Sequence, residues 1–171
     1  MNDSSLLDAA FTHHVWATIA LIDSSAELSP QDLQHVVPGT RGPIIETLAH
    51  IVDADSWDLA ILEGRSLAEV EDVVPEPDAL RDAMHQHGSR WATFLERSFD
   101  PTTMVTEVDP TDGFRRVASI GMRLASTLDH GSDHRSQICT ALTTLGLRPP
   151  TIDVMTFGVA TGRVEETAGM S

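Results

Sequence analysis

The 171-residue sequence predicts an all-α fold, a four-helix bundle with a long crossover connection and a short β segment. Three observations predict it. Apolar residues recur every three or four positions through four long stretches. Capping residues, prolines and glycines punctuate those stretches, and one connection, before the last of them, is far longer than a turn.

The first helix is expected over Ser5 to Asp23, where Leu7, Phe11, Val15, Ile19 and Ile22 mark one face. Ser29-Pro30-Gln31-Asp32 reads as a helix start, with a serine cap, proline in the first turn and an early acid, opening a short helix to about Val36. After the loop Val37 to Gly42, a second long helix runs from Pro43 to Glu63, with Gly64 as its stop. An acidic, proline-containing loop, Glu71 to Pro77, leads to the third, Asp78 to about Ser98, marked by Leu80, Met84, Trp91, Phe94 and Leu95. Met104 to Val108 is β-prone and precedes the turn Pro110-Thr111-Asp112-Gly113. The fourth and longest helix is expected over Phe114 to Leu145, ending at Gly146. From Thr151 to Ser171 no period is visible, so the expectation is one domain over 1–171, with a core of about 5–158 and a loose tail over about 159–171.

Composition removes several function classes. Asp and Glu total 26 against 11 basic residues, a formal charge of −15, which opposes binding to nucleic acid and to anionic membrane surfaces. No apolar run approaches the roughly 20 residues that span a bilayer. The first residues are acidic where a secretory leader needs basic ones, so a soluble, cytoplasmic protein is expected. Cys139 is the only cysteine, which excludes an internal disulfide and a cysteine-based zinc ribbon. Every basic residue is arginine and tyrosine is absent, so Schiff-base, lysine-base and tyrosine acid–base chemistry are excluded. Eight histidines remain as the natural carriers of chemistry.

His130-Gly131-Ser132-Asp133-His134 places two imidazoles one helical turn apart on a single face, a spacing that chelates one cation. That face continues through Ile138, Ala141 and Leu142 and therefore points inward. On spacing alone, two interior histidines satisfied by backbone or acidic partners is an equal reading. His50 lies at mid-length of the second long helix, within Glu46-Thr47-Leu48-Ala49-His50-Ile51-Val52-Asp53 and ahead of Trp57. Bundle cores avoid histidine, yet two core helices carry it where they would face each other. Together the three make a facial site with a position open for water or substrate.

Four pieces of the sequence carry a family resemblance: Trp16 after Thr12-His13-His14-Val15; Glu46 to Ile51 with Asp53 and Trp57; Leu128-Asp129-His130-Gly131-Ser132-Asp133-His134-Arg135-Ser136-Gln137-Ile138; and Leu145 to Pro150 with Asp153 and Phe157. On these the sequence resembles the DinB/YfiT-like superfamily of metal-dependent hydrolases and thiol S-transferases. It departs where the family's glycine after the arginine is Ser136, and where a frequent asparagine is Asp129.

The resemblance implies a four-helix bundle, often a homodimer, holding one divalent metal ion, Zn²⁺ or Ni²⁺ first, through His50, His130 and His134. It also implies a low-molecular-weight thiol such as mycothiol as cosubstrate and an electrophilic small molecule as its partner, with a metal-dependent hydrolase or a non-catalytic, stress-related metal-binding bundle as alternatives. Asp53, three residues after His50, is the first choice for a catalytic acid. Glu46, Asp129 and Asp133 are further candidates to accept the outer N–H of a ligand ring. Trp57 is the candidate pocket wall. Arg135 and Gln137 are expected to order the bundle or reach substrate, with a structural use favoured for Arg135, and His14 or its neighbour His13 to line the pocket. His35 is expected to be exposed, His85 and His87 not to chelate together, and Cys139 to be a small core residue.

Overall fold

The computed structural model describes residues 6–167. The predicted start at Ser5 and the last tail residues, 168–171, lie outside them. In order the elements are α1 (Leu6–Ala26), the short α2 (Pro30–Leu33), α3 (Ile44–Glu63), a 3-10 turn (Leu67–Glu69), α4 (Pro77–Leu95), β1 (Met104–Val108), β2 (Arg115–Ser119), α5 (Ile120–Thr144) and α6 (Val154–Ala160). The long helices α1, α3, α4 and α5 form the bundle. Both α1 and α3 pack against α4 and against α5, so α4 and α5, consecutive in the chain, sit on opposite sides. Among the described residues no helix is long and apolar enough to cross a membrane.

Local chemistry sets the helix ends. At the end of α3, Gly64 takes φ +72°, Arg65 N–H donates to Ala60 O and Gly64 N–H to Ile61 O, a Schellman closure that satisfies otherwise orphaned carbonyls. Gly146, at φ +78°, closes α5 in the same way, with Leu147 N–H on Leu142 O and Gly146 N–H on Thr143 O. Ser29 caps α2 by accepting from Asp32 N–H, but that helix ends at Leu33, three residues short of expectation.

The start of the fourth helix is corrected. The fourth helix does not begin at Phe114. Residues 115–119 form β2, antiparallel to β1 with Val108 opposite Arg115 and Met104 opposite Ser119. Asp109 and Asp112 accept from the turn amides of Thr111 and Phe114, and Gly113 supplies φ +75°. Ser119 then caps α5, its hydroxyl accepting from Met122 N–H. Near the end of the expected core, where no period was visible, a short helix forms. Asp153 accepts from the amides of Met155 and Thr156 to start α6, and Phe157, 2% exposed, packs its ring on Trp16 and His13 of α1.

The larger apolar cluster joins Leu21 and Ile22 of α1, Leu48, Ile51 and Val52 of α3, Leu80 and Met84 of α4, and Ile138 and Leu142 of α5. A second, around Phe11, Leu59, Trp91 and Leu124, fills the other part of the bundle. The histidine-bearing stretches of α3 and α5 meet beside these clusters.

Candidate metal centre

Helix α3 presents His50, and one face of α5 presents His130 and His134. The three ring centroids are 4.7 Å (His50–His130), 4.9 Å (His50–His134) and 4.5 Å (His130–His134) apart. One nitrogen from each ring can be chosen so that all lie within 4.8 Å of one another, the one such group of ligand-type residues among those described. All three rings are partly buried.

Burial, then the Arg41 guanidinium and the two neighbouring imidazoles, push the His50 pKa down to about 4. Burial and His134 lower that of His130 as well. His50 and His130 therefore resist protonation and keep the lone-pair form that ligates metal. His134 Nδ1 lies 3.3 Å from Gln137 Oε1. An amide oxygen only accepts, so Nδ1 carries the proton and Nε2 keeps its lone pair. The Nε2 atom of His130 is buried and has no hydrogen-bond partner, a cost that a cation would relieve. Three ring nitrogens, with the unpartnered Nε2 on one of the rings, fit a borderline divalent ion such as zinc or nickel.

His50 and His130 open onto a cleft of about 460 Å³, whose wall also includes Asp53, Ala54, Trp57 and Ile61. Its far side is a charged cluster that tethers the β-hairpin to the bundle. There Arg123 of α5 donates to Glu107 of β1 and, at 3.4 Å, to Asp58 of α3. Arg116 of β2 donates to Glu107 at 3.0 Å. Thr127 donates to Asp58 at 2.7 Å, and burial, only partly opposed by these partners, raises the Asp58 pKa.

The other predicted residues divide. Asp53 is on the cleft wall, but its Oδ1 accepts from Val73 N–H at 2.8 Å rather than from a ligand ring, and burial raises its pKa. Trp57 also lines the cleft, while exposed Glu46 borders an adjoining cavity of about 300 Å³. Asp129 and Asp133 are exposed, and Asp133 accepts from Gln137 Nε2. Gln137 is thus the residue that holds a ligand ring.

His14 and Arg135 are not in the cleft. They belong to a buried network that sequence reasoning missed. His14 Nε2 is 3.1 Å from both oxygens of Asp55, Arg135 Nη1 is 2.9 Å from His14 Nδ1, and Trp91 Nε1 donates to Asp55 Oδ2 at 3.0 Å. Because the guanidinium only donates, His14 Nδ1 accepts and its Nε2–H is given to Asp55. Burial pushes the Asp55 pKa up, but His14 and Trp91 overcome it and hold the carboxyl below its usual range. One signal was available in Gly131. A Cβ there would stand 2.4 Å from His14 Cε1, so α5 reaches α1 only because that position has no side chain.

His13 meets Ile152 O at 2.8 Å, and His35 pairs with Thr144 Oγ1 at 2.8 Å. His85 is exposed whereas His87 is buried against Ser56 Oγ, and Cys139 is half-buried beside the larger apolar cluster.

Among curated proteins none matches the sequence. The family model of the DinB family matches residues 1–167. With that match over almost its whole length, the chain belongs to the DinB family.

Proposed function

We propose that the protein is a metal-dependent enzyme that joins a low-molecular-weight thiol of the mycothiol type to an electrophilic small molecule. One observation carries the reading: two members of the three-histidine cluster, His50 and His130, line a substrate-sized cleft rather than packed core. Structural metal sites are closed by protein, whereas three protein ligands leave a position for a reactant. His50, His130 and His134 would hold Zn²⁺ or Ni²⁺, which when bound would lower the pKa of a thiol or water and supply a nucleophile near neutral pH.

The chain's own residues do the rest. Three neutral ligands would leave the charge of a bound divalent ion uncompensated, which would favour an anionic thiolate. Gln137 orients His134 through its Nδ1–H. Ala54, Trp57 and Ile61 give the cleft an apolar wall. Asp53, with one oxygen held by Val73 N–H, has its second oxygen free to hold or accept a proton from the reactant. A homodimer and a cytoplasmic location belong to this reading, the first checked by light scattering.

The test is turnover of monobromobimane or a chlorinated aromatic with a series of thiols. Thiol-dependent conjugate formation is expected, and it should vanish in His130→Ala. The same variant should lose zinc affinity by more than the roughly 10–100-fold that outer-shell changes cost. Metal binding without turnover for any thiol would favour a non-catalytic bundle, and metal-dependent ester cleavage a hydrolase.

A further inference from the structure

Three guanidinium groups line the cleft, and two are engaged. Arg123 is held by Glu107 and Asp58, and Arg116 by Glu107. Arg41, on the loop between α2 and α3, is different: among the described residues no carboxylate lies within ion-pair distance of its guanidinium.

Its position is nonetheless built. The Arg41 backbone N–H donates at 2.8 Å to Gln137 Oε1, the same oxygen that faces His134 Nδ1, so one amide ties this loop to the histidine cluster. The Arg41 side chain borders both the main cleft and the adjoining cavity, with His50 and Asp53 common to the two. Asp53, on the same walls, meets this charge only at longer range, so beside residues suited to a dication the guanidinium is incompletely balanced, which is electrostatically unfavourable. An anion between them relieves both charges. A guanidinium offers a fork matched to a carboxylate. Asp53 and Asp72 share these walls, so the anion belongs on the Arg41 side of the opening.

We infer that Arg41 is the anion anchor of the cleft: one reactant carries a carboxylate that Arg41 binds while its reacting atom lies at the three histidines. The inference rests on the enzymatic reading above and adds the substrate class. The carboxylate can belong to the thiol or to the electrophile, and paired probes separate the two.

In cobalt-substituted protein, 3-mercaptopropionate and 2-mercaptoethanol are titrated against the thiolate absorption band. Separately, chloroacetate and chloroacetamide are titrated by calorimetry at times short of any alkylation. The charged member of one pair should bind about tenfold or more tightly than its neutral partner, as one charge-assisted bond implies. That advantage should disappear in Arg41→Gln and persist in part in Arg41→Lys. The thiol pair showing it assigns the carboxylate to the thiol, the chloro pair to the electrophile. No preference in either pair, or one that survives in Arg41→Gln, overturns the inference. Absence of any thiolate band counts against the thiol reading, while the calorimetric pair still decides Arg41. The substitution is in an exposed loop held by backbone contact, and its melting temperature verifies that the fold is intact.

Discussion

Asp55 is 1% exposed, and its two oxygens take three hydrogen-bond contacts, from His14 and from Trp91. Removing a carboxylate from such a network leaves two buried donors unanswered and the Arg135 guanidinium without its nearest acid. Breaking a buried ionic network typically costs about 3–5 kcal/mol, a large share of the roughly 5–15 kcal/mol that holds a domain folded. Asp55→Ala should therefore lower stability by about that amount in urea unfolding, and Asp55→Asn, which keeps one acceptor, by clearly less. Equal and small losses for both would mean that the network is not what joins α1, α3, α4 and α5 here. The contrast with His50, His130 and His134 shows what a sequence can disclose. Two of those rings are one turn apart on one helix, and the third stands on a helix whose apolar face is evident, so their meeting follows from periodicity. Asp55, His14 and Arg135 come from three helices, and their contact depends on the register between helices, which no local pattern encodes.

At the scale of elements, α5 explains both a success and a miss. Its inward face was legible from Ile138 to Leu142, but its start was not. Residues 115–119 form a strand only because a partner strand eleven residues earlier offers hydrogen bonds, although Asp112-Gly113 is itself a hairpin signal. The seven-residue α6 has too few turns for a period, and its Asp153 cap went unread. Two glycines in helices separate close approach from chance. At Gly131 an added Cβ would stand 2.4 Å from His14, a fully buried ring, whereas at Gly88 it would stand 3.1 Å from Val15 Cγ1, the end of a partly buried chain. Alanine gains up to about 1 kcal/mol of helix propensity at either position. Overpacking costs about 1–3 kcal/mol where nothing can yield. Gly131→Ala should be net destabilising by about 1–2 kcal/mol in thermal or urea melts, with Gly88→Ala close to neutral. The reverse order would contradict the close approach of α5 to α1.

For the whole molecule, the bundle was legible because four amphipathic helices have few ways to bury their apolar faces, and its acid response follows from the histidines buried among them. His13, His50, His87 and His130 all have lowered pKa values, burial being the largest cause in each, with His50 at about 4. In the unfolded chain these rings titrate near 6.5. Between about pH 6.5 and 4 these four rings therefore bind more protons in the unfolded state. The raised Asp53 and Asp58 carboxyls act the other way toward the acid end, but four rings outnumber two carboxyls, and stability falls as pH falls through that window. The urea midpoint of the metal-free protein should be lower at pH 5 than at pH 7.5. The comparison belongs in about 0.5 M salt, which screens the self-repulsion of so acidic a chain. An unchanged or higher midpoint at pH 5 would sink this account.

The β-hairpin is fastened to the bundle at one of its corners by Arg123, Glu107 and Asp58, while Met104, Val108 and Val117 face outward. Selection can thus remodel that wall, lengthening its turn or trading its outward residues, without disturbing the helices that carry the imidazoles. Under the proposed function, diversification of reactant preference among descendants of this chain is expected to concentrate between residues 104 and 119, and a directed-evolution library aimed at new reactants should begin there.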